Sequence, residues 1–459
     1  MDMFFIVRKA TQLKASCTEI LKAAFSLEHV QKTLINSGKR NRIYKPVITW
    51  GIWLGQTLSA DHSCRSALAC AKSAGILSKK ASVHTGGYCQ ARNRLKETAL
   101  RTLGVGLGKE LVKGEKPQDK WHGRRVIIPD GSSVSLPDTL SNQKVYPQPN
   151  TQSAGCGFPV MYLSALMSLT SGALLDFETG SGNGSELTRW RKMWHLLKSG
   201  DVILGDGKYS SYADMALLRE RGIDVVARFG KRKTDFRKGK IIALEDHIVE
   251  WECPKQLPAW LAGKCLPEKM MIRELRFHVE AAGFRSETVT IATTLLDAET
   301  YPKQDIAELF FCRWQIELRL RDIKTMLGMD ILRTKTPERA HKELWMYLTA
   351  YNLLRTLMQA ATAKNREIAT RISFQGCRQR LLAAGMRNCP AKRFGCLYRM
   401  LLKDLANDVN PYRPLRIEPR AIKRRKKQYD LLSQPREVLR QNLILQAVDA
   451  TNESVKEVG

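Results

Sequence analysis

The sequence lacks the long, uninterrupted apolar run that a membrane-spanning helix requires. Its longest candidate, residues 160–175, is broken by serine, threonine and glycine, whereas about 18 consecutive apolar residues are needed to cross a bilayer. In residues 1–10 a short apolar run precedes the basic residues, the reverse of a secretory signal. We therefore expect a protein that does not enter the membrane and stays in the cytoplasm.

Cysteine and histidine patterns typical of zinc sites or disulfide frameworks are also missing. The 11 cysteines are an odd number, are spread along the chain and contain no C-x-x-C pair. The 8 histidines show no metal-ligand spacing. We therefore expect free thiols in a reducing compartment.

Acidic residues are few relative to basic ones. The 459 residues include 45 Asp plus Glu and 75 Lys plus Arg, which gives a net charge of +30. Such a charge attracts polyanions, so nucleic acid is the first partner to consider and an anionic membrane surface the second. With 43% hydrophobic residues, the composition excludes wholesale disorder, and the length suggests about three domains.

Hydrophobic periodicity divides the chain into three parts. Residues 1–118 have apolar residues three and four apart and predict a helical domain. In residues 119–363, strands alternate with helices after an initial hairpin, which is typical of an α/β domain with a mixed sheet covered by helices. A β-rich insertion at 230–300 interrupts this alternation, and residues 364–459 form a basic helical C-terminal region.

Basic segments occur in both terminal parts. Lys39–Arg42 and Arg92–Arg94 could hold phosphates, although charged helix faces are commonly just solvated. Residues 413–440 contain ten Lys or Arg and three Asp or Glu. Their centre includes Lys423, Arg424 and Arg425, for which a solvated tail and nucleic-acid contact are both open interpretations.

Two apolar, strand-like runs each end in a carboxylate, Asp130 and Asp206. Each is followed by glycine, so either could simply begin a turn. In an α/β sheet, however, the carboxyl ends of strands lie side by side at the usual ligand crevice. Asp138 and Asp201 are weaker alternatives, because Asp138 lies beyond its strand and Asp201 opens its strand.

A third carboxylate, Glu317, lies on a predicted helix over 303–327. At about 100° per residue it falls on a polar stripe beside an apolar one. Ion pairs with Arg313 and Arg321 on a solvated face are the simplest interpretation. Together with Asp130 and Asp206, Glu317 resembles a site for Mg²⁺ or Mn²⁺, which prefer carboxylate oxygens. The polar stripe contains Phe310, Arg313, Glu317, Arg321 and Lys324.

These motifs resemble those of insertion-sequence transposases of the DDE class, in particular the group with a Tyr-x2-Arg-x3-Glu-x6-Lys signature. Three of its four letters are present at the same spacing, and Phe310 replaces the tyrosine, which removes a hydroxyl. Asp130-Gly131-Ser132 and the 204–209 segment are similar to the first-Asp and second-Asp motifs. The basic 419–425 stretch is similar to the C-terminal part of the family.

The resemblance implies a ribonuclease H-like catalytic domain with a β-rich insertion, after a helical DNA-binding domain. Asp130, Asp206 and Glu317 would be catalytic and would hold two Mg²⁺ ions, for which Mn²⁺ can substitute. The implied DNA-binding residues are Arg313, Lys324, Arg321, Phe310, Trp251, Trp260, Lys423, Arg424 and Arg425.

The implied activity is cleavage that exposes a 3′-hydroxyl at an element end, followed by attack of that hydroxyl on target DNA. A hairpin intermediate is possible in this group, with Trp251 or Trp260 receiving a flipped base, although tryptophan in a β-rich region is more often core. The implied partner is double-stranded DNA, bound by a dimer. A non-catalytic repressor derived from a transposase and a structure-specific nuclease are the alternatives.

Overall fold

A computed structural model describes residues 27–35, 43–78, 81–82, 84–182, 184–229, 234–279, 287–362, 371–385, 394–411 and 432–456. The first part of the chain is helical where it is described, in line with its apolar periodicity. The basic segment Lys39–Arg42 lies outside the described residues. Within the described residues, five α-helices precede the sheet: α1 (Leu27–Leu34), α2 (Pro46–Leu58), α3 (Cys64–Ser73), α4 (Gly86–Arg94) and α5 (Glu97–Lys113).

A nine-stranded mixed sheet follows, with strand order β3-β2-β1-β4-β5-β9-β8-β7-β6. The pairs β1–β4 and β4–β5 are parallel, and the other neighbours are antiparallel. The predicted mixed α/β architecture is therefore confirmed. The strands are β1 (Val126–Ser135), β2 (Val160–Ser168), β3 (Leu174–Gly180), β4 (Val202–Gly205), β5 (Asp224–Arg228), β6 (Lys240–Ala243), β7 (Asp246–Glu252), β8 (Lys269–Val279) and β9 (Glu287–Thr293).

The β-rich stretch predicted at 230–300 supplies β6 to β9. It extends the sheet rather than folding separately, because β9 pairs antiparallel with β5 through Val226 and Thr293. The hairpin predicted around a Ser-Gly turn is also present as β2 and β3, and Gly172 in its turn has a φ of +66°, which favours glycine.

Helices on both sides of the sheet complete the fold. The predicted single helix over 303–327 is instead two helices that meet at Arg313, followed by a π-helical segment, Asp322–Met326. In the described part of the chain, no helix combines the length and apolarity needed to span a membrane. The remaining helices are α6 (Leu140–Val145), α7 (Glu186–Lys192), α8 (Tyr212–Glu220), α9 (Lys303–Cys312), α10 (Trp314–Arg321), α11 (Pro337–Ala361), α12 (Phe374–Gly385), α13 (Phe394–Asn407) and α14 (Arg436–Lys456).

Each face of the sheet buries its own apolar core. Because side chains alternate along a strand, Val126 and Ile128 face one core, which also contains residues of α5, α9, α10 and α11. Ile127 and Ile203 face the other, together with residues of α7 and α8. We call these the first face and the second face.

The N-terminal helices α1, α2 and α5 share the first-face core with the sheet, whereas residues of α3 and α4 pack in a separate apolar cluster. Asn352 on α11 joins α5 to the sheet, because its Nδ2 donates to the carbonyl oxygens of Gly104 on α5 (3.2 Å) and Leu174 on β3 (2.8 Å). Its Oδ1 accepts from the backbone N–H of Leu174 at 3.0 Å. Residues on both sides of the domain boundary predicted between residues 118 and 119 therefore belong to one continuous core.

The close approach of α5 to β3 predicts opposite effects for two glycines on one helix. A Cβ at Gly108 would lie 2.7 Å from the Leu174 carbonyl oxygen and 3.1 Å from Asn352 Nδ2. We expect Gly108→Ala to lower the free energy of unfolding by about 1–3 kcal/mol, measured by chemical denaturation.

Gly106 is the matched control, because a Cβ there would meet nothing within 4 Å. Gly106→Ala should raise the free energy of unfolding by up to about 1 kcal/mol, since alanine favours helix. An equal gain in both variants would contradict this account of α5 packing.

Candidate active site

Asp130 and Asp206 lie on neighbouring parallel strands. The β1–β4 register pairs Val126 with Val202 and Ile127 with Ile203, so its continuation places Asp130 level with Asp206. Alternation along each strand puts both carboxylates on the first face, since the backbone at Asp206 is still extended, with φ −78° and ψ −175°. The two predicted carboxylates are thus brought together where β4 ends beside β1.

The structure corrects one detail of this prediction. Asp130 does not end its strand or begin a turn, because β1 continues to Ser135 and Asp130 itself pairs with Ala165 on β2. Asp206 does precede a turn, and its Oδ1 accepts the backbone N–H of Lys208 at 2.8 Å. Its role in the turn leaves its position beside Asp130 unchanged.

Glu317 lies on α10, which packs on the same face. Ile316 and Leu320 enter the first-face core, and α10 contacts β1. Arg313 Nη2 donates to Glu317 Oε1 at 3.2 Å. The side chain of Glu317 is 37% exposed and that of Arg313 is 23% exposed, so this ion pair lies at the edge of the core, as the helical stripe predicted.

Sequence reasoning missed a further carboxylate, Glu186, at the start of α7. Its Oε2 accepts from Lys208 Nζ at 2.8 Å, and its Oε1 accepts from the Tyr209 hydroxyl at 2.7 Å. A Cβ at Gly131 would lie 2.5 Å from the Glu186 carboxylate, so a larger residue at 131 would displace this carboxylate from its present position. The only sequence signal was indirect: a Gly-rich link ends at Ser185, which caps this short helix.

Burial and neighbouring charges both perturb Asp130. Burial raises the pKa of this carboxyl to about 6, and the nearby charges of Glu186 and Asp206 act in the same direction. The hydrogen bond from the Gly131 N–H and the positive charge of Arg313 lower the pKa of Asp130 but do not outweigh burial. The same carboxylates, Glu186 above all, raise the pKa of Lys208.

The carboxylates of Asp130, on β1, and Asp206, directly after β4, lie close enough to interact. Carboxylate oxygens are the ligands that hard divalent cations prefer. The site is not assembled for such a cation in this conformation. Among the residues that the structure describes, no group of three or more His, Cys, Asp or Glu side chains is close enough to hold a metal ion. Glu317, which accepts a hydrogen bond from Arg313, does not join Asp130 and Asp206 in such a group.

The other residues of the predicted polar stripe differ in their exposure and do not form one surface. Arg321 is exposed, and Lys324 is partly buried in the π-helical segment, where burial lowers its pKa. Phe310 is only 8% exposed and packs against Phe277, which places it in the core and not at a DNA-facing surface. The π-helical segment changes the angular spacing of residues after Arg321. The position predicted for Lys324 from a regular α-helix, at about 100° per residue, therefore does not apply.

The two tryptophans predicted to receive a base differ. Trp251 is 9% exposed, and its indole N–H donates to Glu274 Oε1 at 2.7 Å, so it is a core residue here. Trp260 is partly exposed, and the guanidinium of Arg191 covers its ring at 3.8 Å from the centroid. Lys423, Arg424 and Arg425 lie outside the described residues.

Asp138 and Asp201, the alternatives to Asp130 and Asp206, form ion pairs with arginines elsewhere in the structure. Asp201 lies just before β4, at the strand's opposite end from Asp206, and pairs with Arg125 through its Oδ1 at 2.8 Å. Asp138 pairs with Arg436 at the start of α14. Neither therefore competes with Asp130 and Asp206.

Comparisons with known proteins identify the family of this chain. Residues 121–353 match the family model described as "Transposase DDE domain", a span that includes Asp130, Asp206 and Glu317. The chain is 27% identical over 275 residues to the transposase InsG for insertion sequence element IS4 of Escherichia coli K12, covering 59% of this chain and 60% of that protein. It is 22% identical over 283 residues to the transposase for insertion sequence element IS231F of Bacillus thuringiensis subsp. israelensis, covering 52% and 57%.

The chain thus spans between 57% and 60% of the length of these two curated relatives. Among solved structures, it is similar to the piggyBac transposase synaptic complex with hairpin DNA. The TM-score is 0.46 and the identity 10%, with 91% of this chain and 87% of that chain covered.

The acidic environment of Asp130 leads to a test of Glu186. We expect Glu186→Gln to lower the pKa of Asp130 from its value of about 6, because one of the charges that raise it is removed while the side-chain shape is kept. Carboxyl-carbon NMR titration of the metal-free protein measures this pKa directly.

Glu110→Gln is the control, since Glu110 is an exposed residue of α5 that pairs with Lys113. It should leave the titration of Asp130 unchanged. An Asp130 pKa that is the same in Glu186→Gln and in the unaltered protein would rule out the proximity described here.

Proposed function

We propose that this chain, which belongs to the transposase DDE domain family, is a DNA transposase that cleaves element ends and joins the exposed 3′-hydroxyl to target DNA. The observation that carries the proposal is the β1–β4 register, which places Asp130 level with Asp206 on the face packed by α10. Glu317 lies on α10 itself, which contacts β1.

We assign the catalytic core to a ribonuclease H-like arrangement within β3-β2-β1-β4-β5. An antiparallel meander leads into parallel strands in this part of the sheet, which is consistent with the fold implied by the resemblance. β6 to β9 then form the insertion that precedes the helix carrying Glu317.

Asp130, Asp206 and Glu317 would hold two divalent cations, Mg²⁺ or Mn²⁺. When bound, such a pair activates an attacking oxygen and stabilises the leaving oxygen of a phosphodiester. The chain's own contribution is to fix Asp130 and Asp206 on adjacent strands, and to keep Asp130 in a buried position where an opposite charge relieves its crowding.

Arg313 and Lys208 would position the scissile phosphate. Both are cations beside the carboxylates: Arg313 acts on Asp130 and Lys208 on Asp130 and Asp206. Their present partners are Glu317 and Glu186. A DNA phosphate competes for these cations, so DNA binding would release Glu317 toward the two aspartates.

Hairpin formation would require an aromatic ring to receive the displaced base. Trp260 suits this role better than Trp251, since its ring is partly exposed and is covered by the cations of Arg191 and Lys264. Trp251 would have to leave the core and give up its hydrogen bond to Glu274.

Two element ends must react together, so a dimer would form on DNA.

Glu317 supplies the direct test of catalysis. We expect Glu317→Gln to reduce Mg²⁺-dependent cleavage of element-end DNA by more than about 100-fold, because loss even of groups that only support a metal ligand costs 10–100-fold. DNA binding, measured in the same samples by fluorescence anisotropy, should be retained.

Glu308→Gln is the matched control, since Glu308 is an exposed residue of the neighbouring helix α9, bonded to Gln304. It should cleave normally. Full cleavage by Glu317→Gln would overturn the assignment of Glu317. If the unaltered protein binds DNA tightly but does not cleave it in Mg²⁺ or Mn²⁺, the alternative function, a non-catalytic repressor derived from a transposase, would be favoured.

A second experiment separates a transposase from a nuclease. We expect the protein to join pre-cut element ends with free 3′-hydroxyls to a supercoiled plasmid, because strand transfer needs no further cleavage of the donor. Gel analysis of plasmid-linked, labelled ends measures joining. Cleavage of uncut ends without any joining of pre-cut ends would identify a structure-specific nuclease.

A further inference from the structure

Two cysteines outside the candidate active site face each other between neighbouring helices. Cys64 is the first residue of α3 and Cys89 lies within α4, and their Sγ atoms are 3.9 Å apart. Both side chains are partly exposed. A disulfide needs an S–S distance of about 2.05 Å, so the two sulfurs have to approach only a short way to bond.

Polar neighbours favour the thiolate form of Cys64. Arg92 Nη1 lies 3.3 Å from Cys64 Sγ, and Gln56 Nε2 lies 3.5 Å from it. The hydrogen bond with Cys89 lowers the pKa of Cys64, as does the positive charge of Arg92, and the resulting negative charge helps to raise the pKa of Cys89. The position of Cys64 in the first turn of a helix acts in the same direction.

The thiols also line a cavity of about 280 Å³. Its lining is rich in cations, with Arg333, Lys335, Arg339 and Lys342 beside Arg92. Lys335 and Arg339 are exposed, so an anionic reagent could approach the thiols from solvent. Among the residues the structure covers, the two cysteines belong to no group of three potential metal ligands.

We propose that Cys64 and Cys89 form a thiol–disulfide exchange site that takes an anionic, low-molecular-weight disulfide such as glutathione disulfide. Cys64 is the attacking thiol and Cys89 the resolving thiol, because Arg92 and Gln56 contact the sulfur of Cys64. The proposal is independent of the carboxylate site and of any DNA reaction.

The exchange proceeds in two steps. The Cys64 thiolate attacks one sulfur of the reagent, the reagent S–S bond breaks, and a first thiol leaves as a mixed disulfide forms on Cys64. Deprotonated Cys89 then attacks the Cys64 sulfur and releases the second thiol. The two protein thiols are oxidised, the reagent disulfide is reduced to two thiols, and the two protein protons end on those thiols.

The experiment treats the reduced, full-length protein with glutathione disulfide, blocks the remaining thiols, and maps peptides by mass spectrometry without reduction. We expect a Cys64–Cys89 linked peptide to be the first oxidised product. Cys70 is the internal control, because it is an exposed thiol on the same helix α3. It should react more slowly than Cys64, by about tenfold or more.

Variants identify the two roles. In Cys89→Ser the glutathione adduct should accumulate on Cys64, and in Cys64→Ser the reaction at Cys89 should be slow. Arg92→Gln should slow the reaction of Cys64, whereas Cys70→Ser should leave the yield of the linked peptide unchanged. The mapping of the unaltered protein remains decisive even if a variant does not fold.

Two results would overturn the proposal. One is oxidation that follows exposure alone, with Cys70, Cys265 and Cys396 modified before Cys64. The other is a linked peptide that forms equally fast in protein unfolded by urea, since the folded arrangement would then contribute nothing.

Discussion

The parallel pairing of β1 with β4 is the constraint on which the candidate site depends. It fixes Val126 opposite Val202, and the regular alternation of side chains then brings Asp130 and Asp206 to the same level and the same face. A shift of one residue in this register would turn one carboxylate toward the opposite core. Burial of apolar side chains on both faces holds the register in place, so core packing and the active-site geometry are specified together.

Much of this arrangement could be predicted from the sequence. The apolar runs before Asp130 and Asp206 predicted buried strands, and the i, i+4 spacing of Arg313 and Glu317 predicted their ion pair. These features are local, or follow from the regular geometry of parallel strands. The β-rich insertion was predicted for the same reason, because each of its strands carries its own pattern.

The features that the sequence did not predict depend on distant contacts. Glu186 reaches the site only because α7 begins beside Gly131, and no local pattern marks that approach. The π-helical segment after Arg321 alters the helical phase through hydrogen bonds that periodicity cannot reveal. Phe310 occupied a signature position, yet its apolar ring packs into the core against Phe277, where a tyrosine hydroxyl would need a polar partner.

The side-chain amide of Asn352 donates hydrogen bonds to the backbone carbonyl oxygens of both Gly104 and Leu174. It thereby links α5, which precedes the sheet in the sequence, to β3. The helices α1, α2 and α5 are therefore part of the same packed unit as the sheet. Replacement of these helices alone would leave apolar side chains on the first face of the sheet without their packing partners.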